Sequence, residues 1–205
     1  MTRTARLKAY AKLNLGLRVL FRRPDGFHEL RTIFQTISLT DRLEVAFTRA
    51  RRTVVRVEGA PGIQDNLVEK AARLVLDALG MTAALHFQLT KRIPTGAGLG
   101  GGSSDAAAVL LALPVLSGKR LPFERLRALA AELGSDVPFF LYGGAALGLG
   151  RGEELYPLPD RSARHAVVVA PAVHSSTAEA YADLSPRLTT IPLQNKLDSF
   201  QQEVW

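Results

Sequence analysis

The first quarter of the chain alternates. Leu13, Leu15, Leu17, Val19 and Phe21 are each separated by one other residue, and Leu43, Val45 and Phe47 repeat the pattern. Period two sends successive side chains to opposite faces of a strand, so the stretch from Ala5 to Val57 predicts β-sheet. Arg22-Arg23-Pro24-Asp25-Gly26 interrupts it with turn chemistry, because proline fixes φ and Asp-Gly accepts a positive φ. That predicts a projecting turn with Phe27 and His28 just beyond it. The basic run Arg49-Ala50-Arg51-Arg52 lies between the 43–47 alternation and Val54–Val57 and reads as the solvated tip of a hairpin.

The period then becomes helical. Leu67, Ala71, Leu74 and Ala78 fall at spacings of four, three and four, with Asp65 as the N-cap and Gly80 as the stop. Leu85, Phe87 and Leu89 predict another strand. It delivers Pro94-Thr95-Gly96-Ala97-Gly98-Leu99-Gly100-Gly101-Gly102-Ser103-Ser104, which runs into Asp105-Ala106-Ala107-Ala108-Val109-Leu110, the start of a helix that Pro114 should kink or end. Further helices are predicted from Pro122 to Leu133, near Pro138 and near Thr177–Leu184, with a buried strand at Ala166–Ala170. Strands and helices mix without a repeating β-α-β rhythm, which predicts the α+β class and not a doubly wound parallel sheet. Pro157, Pro159, Asp160 and Ser162 cluster before the last strand and mark the expected boundary between domains 1–157 and 158–205.

Composition narrows the field. With 47% hydrophobic residues in 205, the chain can bury a sizeable core, and no run approaches the roughly eighteen apolar residues of a membrane span. Met1-Thr2-Arg3-Thr4-Ala5-Arg6 leads into a strand pattern and not an apolar leader, so we expect a cytoplasmic protein without a membrane partner. The absence of cysteine excludes disulfides and thiolate metal sites, and His28, His86, His165 and His174 lack ligand spacing, so no metal site built by side chains is expected. A formal net charge of +7 favours anionic partners, whether nucleotides, phosphorylated metabolites or RNA.

The 94–104 segment carries the strongest chemical signal. Five glycines and three hydroxyls between a strand and a helix let backbone N–H groups turn toward an anion, and the helix start adds unpaired donors and a positive dipole end. Gly96, Gly98 and Gly101 match G-x-G-x-x-G, but the dinucleotide fingerprint also wants an acidic residue about twenty positions later, where Ser117-Gly118-Lys119-Arg120-Leu121 stands. A Walker loop wants Gly-Lys-Ser/Thr, and Gly102 is followed by Ser103-Ser104, so the cation must come from elsewhere. Ala11-Lys12-Leu13-Asn14-Leu15 places a lysine and an asparagine on one face of a strand. Leu133-Gly134-Ser135-Asp136-Val137-Pro138-Phe139-Phe140 presents one carboxylate beside a helix start, where it either caps the helix or serves the site.

These three segments together resemble the signature set of the GHMP small-molecule kinase superfamily. The resemblance implies a two-domain α+β architecture: an amino-terminal domain of the ribosomal-protein fold type and a carboxy-terminal ferredoxin-like α/β sandwich. Arg23-Pro24-Asp25-Gly26-Phe27-His28-Glu29-Leu30, Asp65-Asn66-Leu67, Gly150-Arg151-Gly152-Glu153 and Ser176-Thr177-Ala178-Glu179-Ala180-Tyr181 further resemble the branch that acts in the non-mevalonate isoprenoid pathway. That branch implies transfer of phosphate from ATP, with Mg²⁺, to the 2-hydroxyl of the erythritol moiety of a cytidine diphosphate compound. By the same resemblance Asp136 is the general base, Lys12 orients it, the 94–104 loop and Asn66 hold ATP, and Ser103 or Ser104 contacts the ion. Asn14, Phe27, His28, Asp136, Thr177 and Tyr181 would bind the substrate, with Phe27 in place of the family's tyrosine.

The family usually continues beyond Trp205. Asn195-Lys196-Leu197-Asp198 stands where it has Asn-Asp-Leu-Glu, so the second domain is expected to be incomplete. We expect a monomer or weak homodimer with no nucleic-acid partner. Two other readings stay open: a related kinase acting on homoserine, mevalonate or a sugar, and an RNA-binding module of similar fold, for which aromatics in a basic stripe would be needed.

Overall fold

The structure is a computed structural model that describes residues 1–59, 66–159 and 162–170. The alternating first quarter forms one long antiparallel hairpin, β1 (Thr2–Arg22) and β2 (His28–Arg49). Its turn is locked locally. The Phe27 N–H donates to Asp25 Oδ1 at 3.1 Å, the Arg23 N–H donates to Phe27 O at 2.7 Å, and Gly26 takes φ +85°. There follow β3 (Val54–Glu58), α1 (Leu67–Ala78), β4 (Ala83–Thr90), α2 (Gly101–Ser117), α3 (Phe123–Leu133), the short α4 (Phe139–Tyr142), β5 (Ala145–Leu149) and β6 (Glu154–Leu158).

One six-stranded sheet results, in the order β3-β4-β2-β5-β6, with β1 along the opposite edge of β2. The long β2 serves two partners on that shared edge. Thr32–Gln35 pair with β5 and Arg42–Arg49 pair with β4, so residues 36–41 have no strand beside them there among the described residues. The β1–β2 register also shifts between Tyr10 and Lys12. These two irregularities coincide, and the glycine loop enters at that point.

Helices α1, α2 and α3 cover one face of the sheet. Leu43, Val45, Phe47, Leu85, Phe87 and Leu89 point into the core because the period is two, and they meet the Val68, Ala71, Val75 and Leu76 stripe of α1. Each fully buried leucine or phenylalanine stabilises the fold by about 1.5–3 kcal/mol relative to exposure. Helix α2 is buried on most sides, through Ala106, Ala107, Val109, Leu110 and Leu113.

Several expectations need correction. Arg49–Arg52 is not a hairpin tip, because the chain crosses through α1 and β4 inserts between β2 and β3, with β3 and β4 parallel. A helix between two strands carries the chain back to the end where the first began, which makes them parallel. The cap of α1 is Asn66, whose side chain accepts the Val68 N–H at 2.9 Å; Asp65 lies outside the described residues. Helix α2 starts at Gly101, before Ser104, and does not end at Pro114. Proline forfeits one backbone bond, but Leu113 and Leu116 keep the last turn packed until Gly118 closes it at φ +72°. Ala166–Ala170 is neither strand nor buried: Val167 and Val169 are 92% and 82% exposed, and no ladder reaches them among the described residues. The helix expected near Thr177–Leu184 lies outside the described residues.

Gly148 ties this frame to the site. A Cβ there would stand 2.4 Å from Cε2 of Phe34, whose ring packs on Phe139 at 4.9 Å. We expect Gly148→Ala to destabilise the protein by about 1–3 kcal/mol, measured as a lowered urea midpoint at unchanged m-value.

Candidate active site

The loop is shaped by glycine and hung from β1. Gly96, Gly98 and Gly100 take φ values of +75°, +71° and +69°. At Gly100 there is a second constraint, since a Cβ would meet the Phe140 ring at 2.7 Å and Lys12 Cγ at 3.1 Å. Where the β1–β2 ladder shifts, the Lys12 N–H turns away and donates to Leu99 O at 3.0 Å, while Leu99 packs with Ala11 and Ile93. Gly100 is the N-cap of α2 and offers no side chain, so the first turn presents bare N–H groups.

Beside the loop lies a cavity of about 350 Å³, lined by residues 93–103 together with Asn66, Leu67, Leu89, Lys91 and Asp105. The expected cofactor residues all border it except Ser104, which is buried with its N–H donating to Gly100 O at 2.9 Å. Asn66 contributes from the α1 cap.

Lys12 and Asp136 meet. The Lys12 ammonium donates to Asp136 Oδ2 at 3.1 Å and to Asn14 Oδ1 at 3.0 Å, and it lies 5.1 Å from the centre of the Phe34 ring. Asp136 does not cap the following helix: the N-cap of α4 is Pro138, and no side chain caps it. The pair is asymmetric, with the Lys12 side chain 4% exposed and that of Asp136 32% exposed. A buried cation therefore backs a carboxylate that solvent, or a hydroxyl, can reach.

Phe27 stands farther out on the β1–β2 hairpin. Its ring is exposed on one side and covered on the other by the Arg151 guanidinium, 4.7 Å from the ring centre. Glu29 fastens this turn to the next loop, accepting from Arg23 at 2.6 Å and from the Gly150 N–H at 3.1 Å. His28 opens β2, half-buried. Thr177 and Tyr181 lie outside the described residues.

Sequence reading missed Lys91 and Asp105. Neither belongs to the glycine pattern, and only the fold brings Asp41 to them. Burial pushes the Asp105 carboxyl up to about 7; Lys91 opposes that shift and the Asp41 charge adds to it. Burial works against the Lys91 ammonium, but hydrogen bonds to Asp105 and Asp41 outweigh it and raise its pKa.

A glycine loop joining strand to helix, with the Lys12–Asp136 pair packed beside it on an α+β frame, marks the GHMP kinase class, and residues 66–144 match the family model described as the GHMP kinases N terminal domain. Over its whole length the chain is 62% identical to the 4-diphosphocytidyl-2-C-methyl-D-erythritol kinase of Solibacter usitatus (strain Ellin6076), spanning 66% of that relative. The enzyme of that name from Geobacter sulfurreducens (strain ATCC 51573 / DSM 12127 / PCA) is 44% identical over 97% of this chain and 71% of its own. A crystal structure of 4-(cytidine 5'-diphospho)-2C-methyl-D-erythritol kinase matches with TM-score 0.74 at 40% identity, covering 97% of this chain and 72% of that one. The chain belongs to the 4-diphosphocytidyl-2-C-methyl-D-erythritol kinase family. It spans about two thirds of the length of these relatives.

Folded Asp105 keeps its proton to about pH 7, whereas an unfolded aspartate loses it near 4. The folded state then binds more protons between those values, so this residue's contribution to stability falls as pH rises from about 4 through 7. In urea titrations at pH 5 and pH 8, Asp105→Asn should lack that decline and so gain on the parent protein at the higher pH.

Proposed function

We propose that this chain carries the phosphoryl-transfer site of an ATP-dependent kinase acting on the 2-hydroxyl of 4-diphosphocytidyl-2-C-methyl-D-erythritol, in the non-mevalonate route to isoprenoid precursors. The observation that carries the reading is the Lys12–Asp136 pair, 3.1 Å apart, with the acid partly open and the lysine stem packed against Gly100 of the loop. Phosphoryl transfer asks little covalent chemistry of a protein. It asks for alignment and for charge placed where charge develops.

Asp136 accepts the proton of the attacking hydroxyl. Lys12 holds that carboxylate in place, with Asn14 fixing the ammonium from its other side, and it offsets negative charge as the oxygen attacks. The N–H groups of the loop and of the first turn of α2 cradle the ATP phosphates, while Asn66 borders the adenosine end. Among the described residues no group of three or more His, Cys, Asp or Glu side chains is placed to hold a metal ion. Mg²⁺ would keep phosphate oxygens and waters as its main ligands, with the hydroxyl of Ser103, which borders the cavity, as a contact from the chain. The ion would neutralise phosphate charge. Phe27 stacks on the cytosine with the ring face that Arg151 leaves free, His28 reads the base edge, and Thr177 and Tyr181 complete the substrate side. Replacing the family's tyrosine by Phe27 keeps the stacking surface and drops one hydroxyl.

The division into domains 1–157 and 158–205, a cytoplasmic location and a monomeric or weakly dimeric state are part of this proposal. Among the described residues no helix is long and apolar enough to cross a membrane.

Incubation with Mg-ATP and the cytidylated methylerythritol, beside homoserine and mevalonate, tests the reading. We expect transfer to the cytidylated alcohol alone, with kcat lowered about 100- to 10,000-fold by Asp136→Asn. Equal rates from both proteins would remove Asp136 from its role, and faster transfer to a simpler alcohol would reassign the substrate. Lys12→Met should lower kcat by a comparable factor while changing KM for ATP by less than about threefold, since it acts on the acid and not on the phosphate cradle.

A further inference from the structure

A buried ionic cluster at the base of the loop is used by none of these steps. Asp41 of β2 is fully buried. Its Oδ1 accepts the N–H groups of Arg92 at 2.5 Å and Ile93 at 2.9 Å, and its Oδ2 accepts from the Lys91 ammonium. The same ammonium donates to Asp105 Oδ2 at 2.8 Å. Asp105 is 2% exposed, and its Oδ1 is buried without a hydrogen-bond partner.

The positions of these residues give the cluster a purpose. Lys91 is the first residue after β4, Asp105 lies one residue beyond the loop, and Asp41 ends the part of β2 that has no neighbouring strand on that edge. The cluster therefore links the loop's entry to its exit across the gap in the sheet. Burying two carboxylates around one ammonium is a poor way to gain stability, because desolvation offsets most of the Coulomb attraction. It does fix geometry. The ammonium also lies against the start of α2, where a Cβ on Gly101 would stand 3.1 Å from Nζ, and its 19% exposure is on a residue that lines the cavity. Without Lys91 the entry and the exit of the loop would lose the ammonium that ties them together.

We propose that Lys91, held between Asp41 and Asp105, is a positioning residue for nucleotide phosphate binding: it clamps the two ends of the 94–104 loop. The proposal rests on reading that loop as the ATP cradle. It predicts an effect confined to ligands that carry phosphate.

Calorimetry with ADP and with adenosine on the 205-residue chain and its variants tests this. Lys91→Met should weaken ADP about tenfold or more and adenosine less than about twofold, with Lys91→Arg restoring ADP to within about threefold, since a loosened cradle loses preorganisation and adenosine does not use it. Lys91→Met with Asp105→Asn removes the stranded buried carboxyl as well and serves if the single variant does not fold; its ADP affinity should also fall about tenfold, again with adenosine spared. Unchanged ADP affinity in either variant, or a parallel loss of adenosine, overturns the proposal. If the parent protein itself binds adenosine and ADP equally, the cradle reading fails, and this proposal fails with it.

Discussion

An ammonium removed from water must be met by oxygen atoms, and among the described residues Lys12, 3% exposed, meets them at the Asn14 amide and the Asp136 carboxylate. That need dictates how distant parts of the chain assemble. Lys12 and Asn14 share a face of β1 because strands alternate, while Asp136 sits on the turn between α3 and α4. The ion pair fixes that turn against the strand. Phe139 then packs on Phe34 at 4.9 Å, beneath the ammonium, and Phe140 fills the space over Gly100 that a Cβ would otherwise claim. The loop, the cation and the acid are thus one packed unit, in which the position of each depends on the others.

The sheet explains why the unit forms where it does. A strand beside β2 at residues 36–41 would have consumed the backbone groups and the space that the loop uses. Because β4 and β5 divide that edge between them, the chain passes through the gap, and groups that would have been satisfied by a ladder find other partners. Lys12 N–H finds Leu99 O, and the Arg92 and Ile93 N–H groups find the Asp41 side chain. A local fault in sheet pairing becomes the seat of the glycine loop.

Much of this was legible from residue order alone, for identifiable reasons. The glycine loop declares itself because a cluster of glycines between an alternating strand and an alanine-rich helix has few uses. Lys12 and Asp136 declare themselves through local context and resemblance, and the fold brings them within 3.1 Å of each other. What stayed hidden is what depends on pairing partners. Period two shows that 43–47, 54–57 and 85–89 are strands but not that β4 lies between the other two, so the Arg49–Arg52 turn was misread. Pro114 was weighed by its missing N–H and not by the apolar neighbours that hold the last turn. Ala166–Ala170 has a strand's composition, but a strand needs a partner, and none reaches it among the described residues. Lys91 looked like any lysine at a strand end, because its two acids are separated from it in sequence and join it only through the fold.

The two ionic groups flanking the loop have opposite asymmetries. At Lys12–Asp136 the base is hidden and the acid is open, 4% against 32% exposed, which suits a carboxylate that must reach a neutral hydroxyl. At Lys91 the base is 19% exposed and its acids are 0% and 3% exposed, which suits a surface that must meet phosphate without presenting negative charge to it. The same pairing of lysine with aspartate is thus turned two ways beside one loop. What differs is which partner the backbone leaves facing the ligand, and that is decided by the strand register at Lys12 and by the burial of Asp41 behind the loop.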